Sequence, residues 1–523
     1  MSASENHNVI DISHHLSEVG RKLQKFAVAP AHIPGVINLD KAVPDVEDCP
    51  ITSISVQYVE PSAFSLEPTG TPSPGPDSGE ITGTEPANAQ YVISRQLREG
   101  DQNKFQLKTA LTYSPITGLP GLEPFIREWV AKVHKPAHNN WKTLIDMGSA
   151  PAWASCLTIF LNPGDSFITD YYAYNVALTQ ARAMGMVPVT VATDLDGISA
   201  VELEQVLTSW DEKSRGSRRP RLIYSQGGVT NPTGQLTTAQ RKKEIYDVAV
   251  RHDLIIIEDD PYYFQQASGP YRSSGTQTNA TQTDEQWLES LVPSFLRFDY
   301  QGRVIRLDTF SKSIAPGGRL GYYTAPTLVI EKLMALGDTM ALYPSGFSQA
   351  IIGELLYKYQ TAGFTRWLRG ICVKYELRRN WMIDALHNAL DIQPKDNSSR
   401  TLTAYAPSDT QNIKSLMSFA PPAGGMCIWF NIHLQNHPRY QELRDRTSIA
   451  AAKDQLATEL WSAIAKAGVM IRRGELCAAE DGNKRAKRGE EGSFLRASFG
   501  NGTKDYLQQG MTIFAAELIK FFE

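Results

Sequence analysis

Between residues 166 and 325, short runs of apolar residues recur, separated by longer stretches of helical periodicity. The strand candidates are 166–169 (SFIT), 187–192 (VPVTVA), 221–225 (RLIYS), 254–259 (LIIIED), 303–308 (RVIRLD) and 321–325 (GYYTA). The amphipathic stretches fall at 151–161, 174–185, 238–251 and 327–337. Runs of Val, Ile and Leu without polar alternation suit strands buried on both faces, and helices between them supply the covering layers. This predicts an α/β architecture with a mostly parallel sheet. From about residue 365 the pattern changes. A long helical segment through Trp381, strand candidates near 426–432 and 493–499 and a helix near 449–467 predict a second, smaller α/β unit.

A chain of 523 residues suits two or three domains. Its 42% hydrophobic and 21% charged residues have the balance of a globular protein with a large core. With 52 Lys plus Arg against 56 Asp plus Glu, nothing points to nucleic acid or an anionic membrane, and small molecules are the expected partners. No apolar run approaches the roughly 18 residues that a membrane helix requires. The five cysteines share no C-x-x-C spacing, which argues against a disulfide framework or a zinc site and fits a reducing compartment. The polar N-terminus resembles neither a signal nor a transit peptide, so a cytoplasmic location is expected. Three stretches read as exposed insertions: 66–90 and 268–284, both rich in small polar residues, Gly and Pro, and the charged 481–492.

Ligands in open α/β sheets collect at the carboxyl ends of strands. Three polar clusters fall there: Asn231-Pro232-Thr233-Gly234, then Glu258-Asp259-Asp260-Pro261-Tyr262-Tyr263, then Thr309-Phe310-Ser311-Lys312 followed by Arg319. Each has an ordinary reading alone, as a turn, a cap or a solvated lysine. Their joint order is the signal. Segments 107–122 (LKTALTYSPITGLPGL), 241–264, 293–323, 344–351 and 422–438, together with 494–500 (FLRASFG), resemble the fold-type I, pyridoxal-phosphate-dependent aminotransferases of class I/II. The nearest resemblance is to the fungal aromatic-amino-acid branch, related to kynurenine and aminoadipate aminotransferases.

The resemblance implies a seven-stranded, mostly parallel sheet flanked by helices, plus a smaller α/β domain. It divides the chain into an N-terminal arm with part of the small domain (1–105), a large cofactor-binding domain (106–365) and a C-terminal small domain (366–523). It implies pyridoxal phosphate held by Lys312 as a Schiff base, with Asp259 on the pyridine nitrogen and Asp260, its neighbour on the opposite side, the weaker candidate. Tyr262 and Asn231 would bind the phenolic oxygen, and Tyr174 would stack on the ring. Ser149, Thr309, Ser311 and Arg319 would bind the phosphate, with 148–150 leading into a helix near Ala152. Tyr113 would reach the phosphate of a neighbouring subunit, implying a homodimer with shared sites. Arg496 would clamp the substrate carboxylate, with Asn231 beside it. No metal is implied.

The expected reaction moves an amino group from an aromatic or aminoadipate-like L-amino acid to a 2-oxo acid such as 2-oxoglutarate, in primary or secondary metabolism. A lyase or synthase on the same fold is the alternative. A cofactor-sensing regulator would need a basic DNA-binding module that the N-terminus does not supply. Three departures touch the pocket: Asp40-Lys41-Ala42 stand where the family has glycines, Ala150 replaces a polar residue, and 227–230 (GGVT) replace the PVGQ that usually precedes Asn-Pro-Thr-Gly.

Overall fold

The computed structural model describes residues 9–24, 43–63, 66, 89–96, 104–271, 282–340, 342–395, 400–407, 414–480 and 492–523. Most of the three insertions and the Asp40-Lys41-Ala42 departure lie outside the described residues. An antiparallel hairpin, β1 (Ser53–Tyr58) with β2 (Ala89–Ser94), precedes the main sheet and packs through Ile54, Tyr91 and Ile93 onto its flanking helices.

The main sheet contains β3 (Trp141–Asp146), β4 (Ser166–Asp170), β5 (Val187–Val191), β8 (Leu222–Ser225), β9 (Ile255–Asp259), β10 (Val304–Thr309) and β11 (Gly321–Pro326). A two-stranded ribbon, β6 (Thr193–Asp194) and β7 (Gly197–Ile198), lies beside it in sequence. The order across the main sheet is β3-β11-β10-β9-β8-β4-β5. The contacts from β10 to β5 are parallel, and only β11 runs against its neighbours. The seven-stranded, mostly parallel sheet is therefore present. Strands β4, β8 and β9 are buried at every position, the burial expected when helices cover both faces. Edge strand β3 is the one the hydrophobic pattern missed, because WKTLID mixes polar and apolar residues.

The helices follow the expected segments at Ser149–Phe160, Asn175–Ala183, Ala239–Arg251 and Thr327–Met340. The first begins at Ser149 rather than near Ala152, because Gly148 at φ 107° is itself the N-cap. Helix Gly346–Ala389 has non-helical backbone at Gln360. Its earlier part joins the core under the main sheet through Ala350 and Leu356, and its last turns, from Trp381 to Leu386, enter a second core. That core lies under an antiparallel sheet of β12 (Asp391–Pro394), β13 (Leu402–Tyr405), β14 (Ser415–Phe419), β15 (Cys427–Ile432), β16 (Arg472–Arg473) and β17 (Ser493–Ser498). Its order is β12-β13-β14-β15-β17-β16, and helices Ile449–Lys466 and Lys504–Phe522 cover one face. All five cysteines are free thiols. No helix among the described residues is long and apolar enough to cross a membrane.

Candidate active site

Because β3, β4, β8, β9 and β10 point the same way, their carboxyl ends form one edge, at Asp146, Asp170, Ser225, Asp259 and Thr309. Strand β11 runs the other way and starts at that edge, so Arg319, just before it, arrives there too. On the opposite side stand β15, β17 and β16. Along β17, Leu495 and Ala497 are buried in the core, while Arg496 and Ser498 line the cavity between the two sheets.

This cavity has a volume of about 400 Å³. It is lined by Ser149, Ala150, Tyr174, Asn231, Asp259, Tyr262, Thr309, Ser311, Lys312, Arg319 and Arg496. Every site residue expected from the sequence is thus in one place except Tyr113. That side chain is 58% exposed and lies against the Tyr343 ring, 6.1 Å between centroids. Asp260 faces away from the cavity, as adjacent strand residues do, into a buried cluster with Arg306. Among the lining residues without a sequence expectation are Asn175, Gln226, Cys427, Arg472 and Ser498. Tyr224 was also missed. Its hydroxyl donates to Asp259 Oδ2 at 2.8 Å, and its signal in the sequence is only that of one more buried strand aromatic.

Asp259 is buried at the end of β9. Burial pushes its pKa up to about 6, opposed by the Tyr224 and Ser149 hydroxyls. Its second oxygen, Oδ1, is buried without a partner in hydrogen-bonding geometry. A buried carboxylate with one oxygen unanswered is a site for a cationic N–H. Lys312 is lowered in pKa, first by burial and then by the Arg319 and Arg496 charges, despite an opposing contribution from Cys427. The amine is thereby shifted towards its neutral, nucleophilic form.

At the other end of the cavity, Arg319 Nη1 donates to Ser311 Oγ at 3.1 Å, and Thr309 Oγ1 donates to Ser311 Oγ at 2.8 Å. Arg319 Nη2 donates to Met147 O at 3.2 Å, which holds the fork beside the start of helix Ser149–Phe160. That helix has no side-chain cap, so its first N–H groups remain available. A Cβ on Gly148 would sit 3.2 Å from Thr309 Oγ1 and 3.3 Å from Arg319 Nη2, filling the space between them. Uncapped N–H groups, a guanidinium and two hydroxyls around this space suit a phosphate. Near Lys312 the third anchor is Arg496, whose Nη1 donates to Asn231 Oδ1 at 2.8 Å. Its Nε is buried and unpaired. The donor set matches a phosphorylated, pyridine-bearing aldehyde at one end and a carboxylate at the other.

A family model described as "Aminotransferase class I and II" matches residues 87–513. The chain belongs to this family. An aromatic amino acid aminotransferase of Schizosaccharomyces pombe is 30% identical over 455 residues, covering 86% of this chain and 87% of the relative. An L-tyrosine:2-oxoglutarate aminotransferase of Serpula lacrymans is 31% identical, covering 86% and 80% respectively. The crystal structure of aminotransferase Aro8 from Candida albicans superposes with a TM-score of 0.80 at 27% identity, covering 98% of this chain and 99% of that one. The chain is accordingly a transaminase of fold type I that uses pyridoxal phosphate and acts on amino acids and 2-oxo acids.

Proposed function

We propose that this transaminase takes an amino group from an aromatic or aminoadipate-like L-amino acid and passes it to 2-oxoglutarate. The observation that carries the reading is the convergence of Lys312, Asp259, Arg319 and Arg496 on one cavity from four separate stretches of chain, counting the helix start at Ser149. The relatives' names support the aromatic donor and the 2-oxoglutarate acceptor. The aminoadipate-like alternative rests on the sequence resemblance.

When bound, the cofactor supplies a reactive aldehyde carbon and a ring that withdraws electrons from the substrate Cα. The chain's own groups do the rest. Lys312 would hold the aldehyde carbon through its amine and would carry a proton to and from the substrate Cα. Asp259, braced by Tyr224, would keep a proton on the ring nitrogen. Tyr174 would cover the ring face, while Tyr262 and the Asn231 amide would donate to the phenolic oxygen. Accepting from Arg496 through Oδ1 leaves the Asn231 NH2 group free for that role. Ser149, Thr309, Ser311 and Arg319 would bind the phosphate, and Ala150 could contribute only its backbone N–H. Arg496 presents a planar fork to the α-carboxylate.

The domain division at 105 and 365, a homodimer in which Tyr113 reaches the partner's phosphate, and a cytoplasmic location belong to the same proposal. The test is a half-reaction. Holoenzyme mixed with tyrosine, phenylalanine or 2-aminoadipate alone loses the cofactor's aldehyde absorbance and regains it on addition of 2-oxoglutarate. A panel of donors that leaves the absorbance unchanged refutes the substrate reading. In the Lys312→Ala variant turnover falls by at least about 10⁴-fold, the scale on which single members of a catalytic set act. A variant with ordinary turnover removes Lys312 from the mechanism.

A further inference from the structure

Arg472 opens strand β16, and its cross-strand partner on β17 is Arg496. Directly opposed residues in an antiparallel pair project from the same face with Cβ atoms about 5 Å apart. Here both side chains line the cavity. Like charges placed so are unfavourable unless an anion lies between or beside them. The next residue, Arg473, has the opposite environment: Nη2 donates to Asp454 at 2.7 Å, Nη1 to Thr458 at 2.8 Å, and Nε lies 3.3 Å from Glu475. Arg473 is tied into the fold. Arg472 has no carboxylate partner among the described residues and is half-buried at the cavity wall. Arg472 shares the cavity wall with Cys427, Lys312 and Arg496.

The cavity's charges leave Arg472 unassigned. Asp259 is the one acidic side chain among the lining residues, against Lys312, Arg319, Arg472 and Arg496. Lys312 acts as a neutral amine, Arg319 answers the cofactor phosphate, and Arg496 answers the α-carboxylate. One guanidinium remains, a side chain's width from the α-carboxylate site. We infer that Arg472 binds the second, side-chain carboxylate of a dicarboxylic substrate, such as glutamate, 2-oxoglutarate or 2-aminoadipate. The inference rests on the transaminase reading with Arg496 as the α-carboxylate anchor. It makes Arg472 the residue that selects for acidic side chains during the acceptor half of the cycle. An aromatic donor then uses the same pocket without engaging it.

The test compares ligands of equal length that differ by one carboxylate. Calorimetric titration of the holoenzyme with glutarate and with pentanoate, neither of which can react, measures binding apart from turnover. Glutarate binds more tightly than pentanoate, and Arg472→Met reduces that preference by about tenfold or more, the scale expected for losing a charged pair in a partly enclosed site. Arg472→Lys, which keeps the charge but not the fork, retains part of it. In steady state, the ratio of kcat/KM for glutamate over norleucine falls by a similar factor in Arg472→Met, with the loss mainly in KM. An unchanged ratio, with both substrates impaired alike, assigns Arg472 to the α-carboxylate and overturns the inference. Equal binding of the two acids by the unaltered enzyme also overturns it. If glutarate selectivity behaves as expected but no amino acid reacts, the substrate reading fails and the carboxylate site stands.

Discussion

Asp259 carries its function in its burial as much as in its identity. Its raised pKa means that the folded, cofactor-free protein holds this proton more tightly than the unfolded chain does. The stabilisation is complete at low pH and is lost as pH rises from 3.8 to about 6. Above that window a buried, incompletely paired charge opposes folding. Asp259→Asn removes the charge and keeps an acceptor for Tyr224. At about pH 7.5 the cofactor-free variant should be more stable than the parent by up to about 3 kcal/mol, with the gap closing towards pH 4. Activity and cofactor retention should fall together. Thermal unfolding of both cofactor-free proteins across this range is the measurement, and a variant less stable at every pH contradicts the account. Asp259 was legible in the sequence as the last residue of an apolar strand. Its partner Tyr224 was not, because a tyrosine inside a buried strand looks the same whether its hydroxyl braces a catalytic carboxylate or satisfies a core carbonyl.

The strand ends do the positioning, and two features hold them in place. The first is the glycine before helix Ser149–Phe160. Gly148→Val would place a side chain at φ 107° and into the gap between Thr309 and Arg319. Backbone strain of about 1–3 kcal/mol at such a position should appear as weaker cofactor binding in equilibrium titration, with helix content unchanged. The second is the buried charge cluster behind β9 and β10. Arg306 Nε and Nη2 each donate to Asp308 at 2.9 Å, and Nη1 lies 3.2 Å from Glu258 and 3.7 Å from Asp260. Lys242 Nζ, from helix Ala239–Arg251, lies 3.7 Å from Glu258. Arg306→Met leaves three carboxylates with one remaining cation. The expected loss is about 3–5 kcal/mol in urea unfolding followed by tryptophan fluorescence. A loss below about 1 kcal/mol would mean that the cluster is not holding these ends. The apolar pattern shows where β9 and β10 run. That Arg306 and Glu258 point inward could not be read from it, since charged residues are ordinarily expected outside.

The whole molecule closes its cavity with two units separated in sequence. The main sheet and the loops at its edge supply Lys312, Asp259, Thr309, Ser311 and Arg319, and the second sheet supplies Arg496 and Arg472 from strands that pair with each other. Tyr113 is exposed and outside this chain's cavity, which is the placement a residue serving a partner's site requires. If it does so, dimers mixed from Lys312→Ala and Tyr113→Ala chains contain one site with both groups intact. They should regain activity that neither parent dimer shows, measured after exchange of subunits. No recovery, in mixtures shown to contain mixed dimers, rules out sharing through Tyr113. The sequence by itself determined the sheet's central strands, the family and most residues around Lys312, because strand periodicity and motif order are local and survive without neighbours. Tertiary structure alone decided that Tyr224 braces Asp259, that Gly148 leaves open the space between Thr309 and Arg319 and that Arg472 faces Arg496 across two strands. Those relations join residues distant along the chain, and no local pattern encodes which of two faces, or which distant partner, a side chain meets.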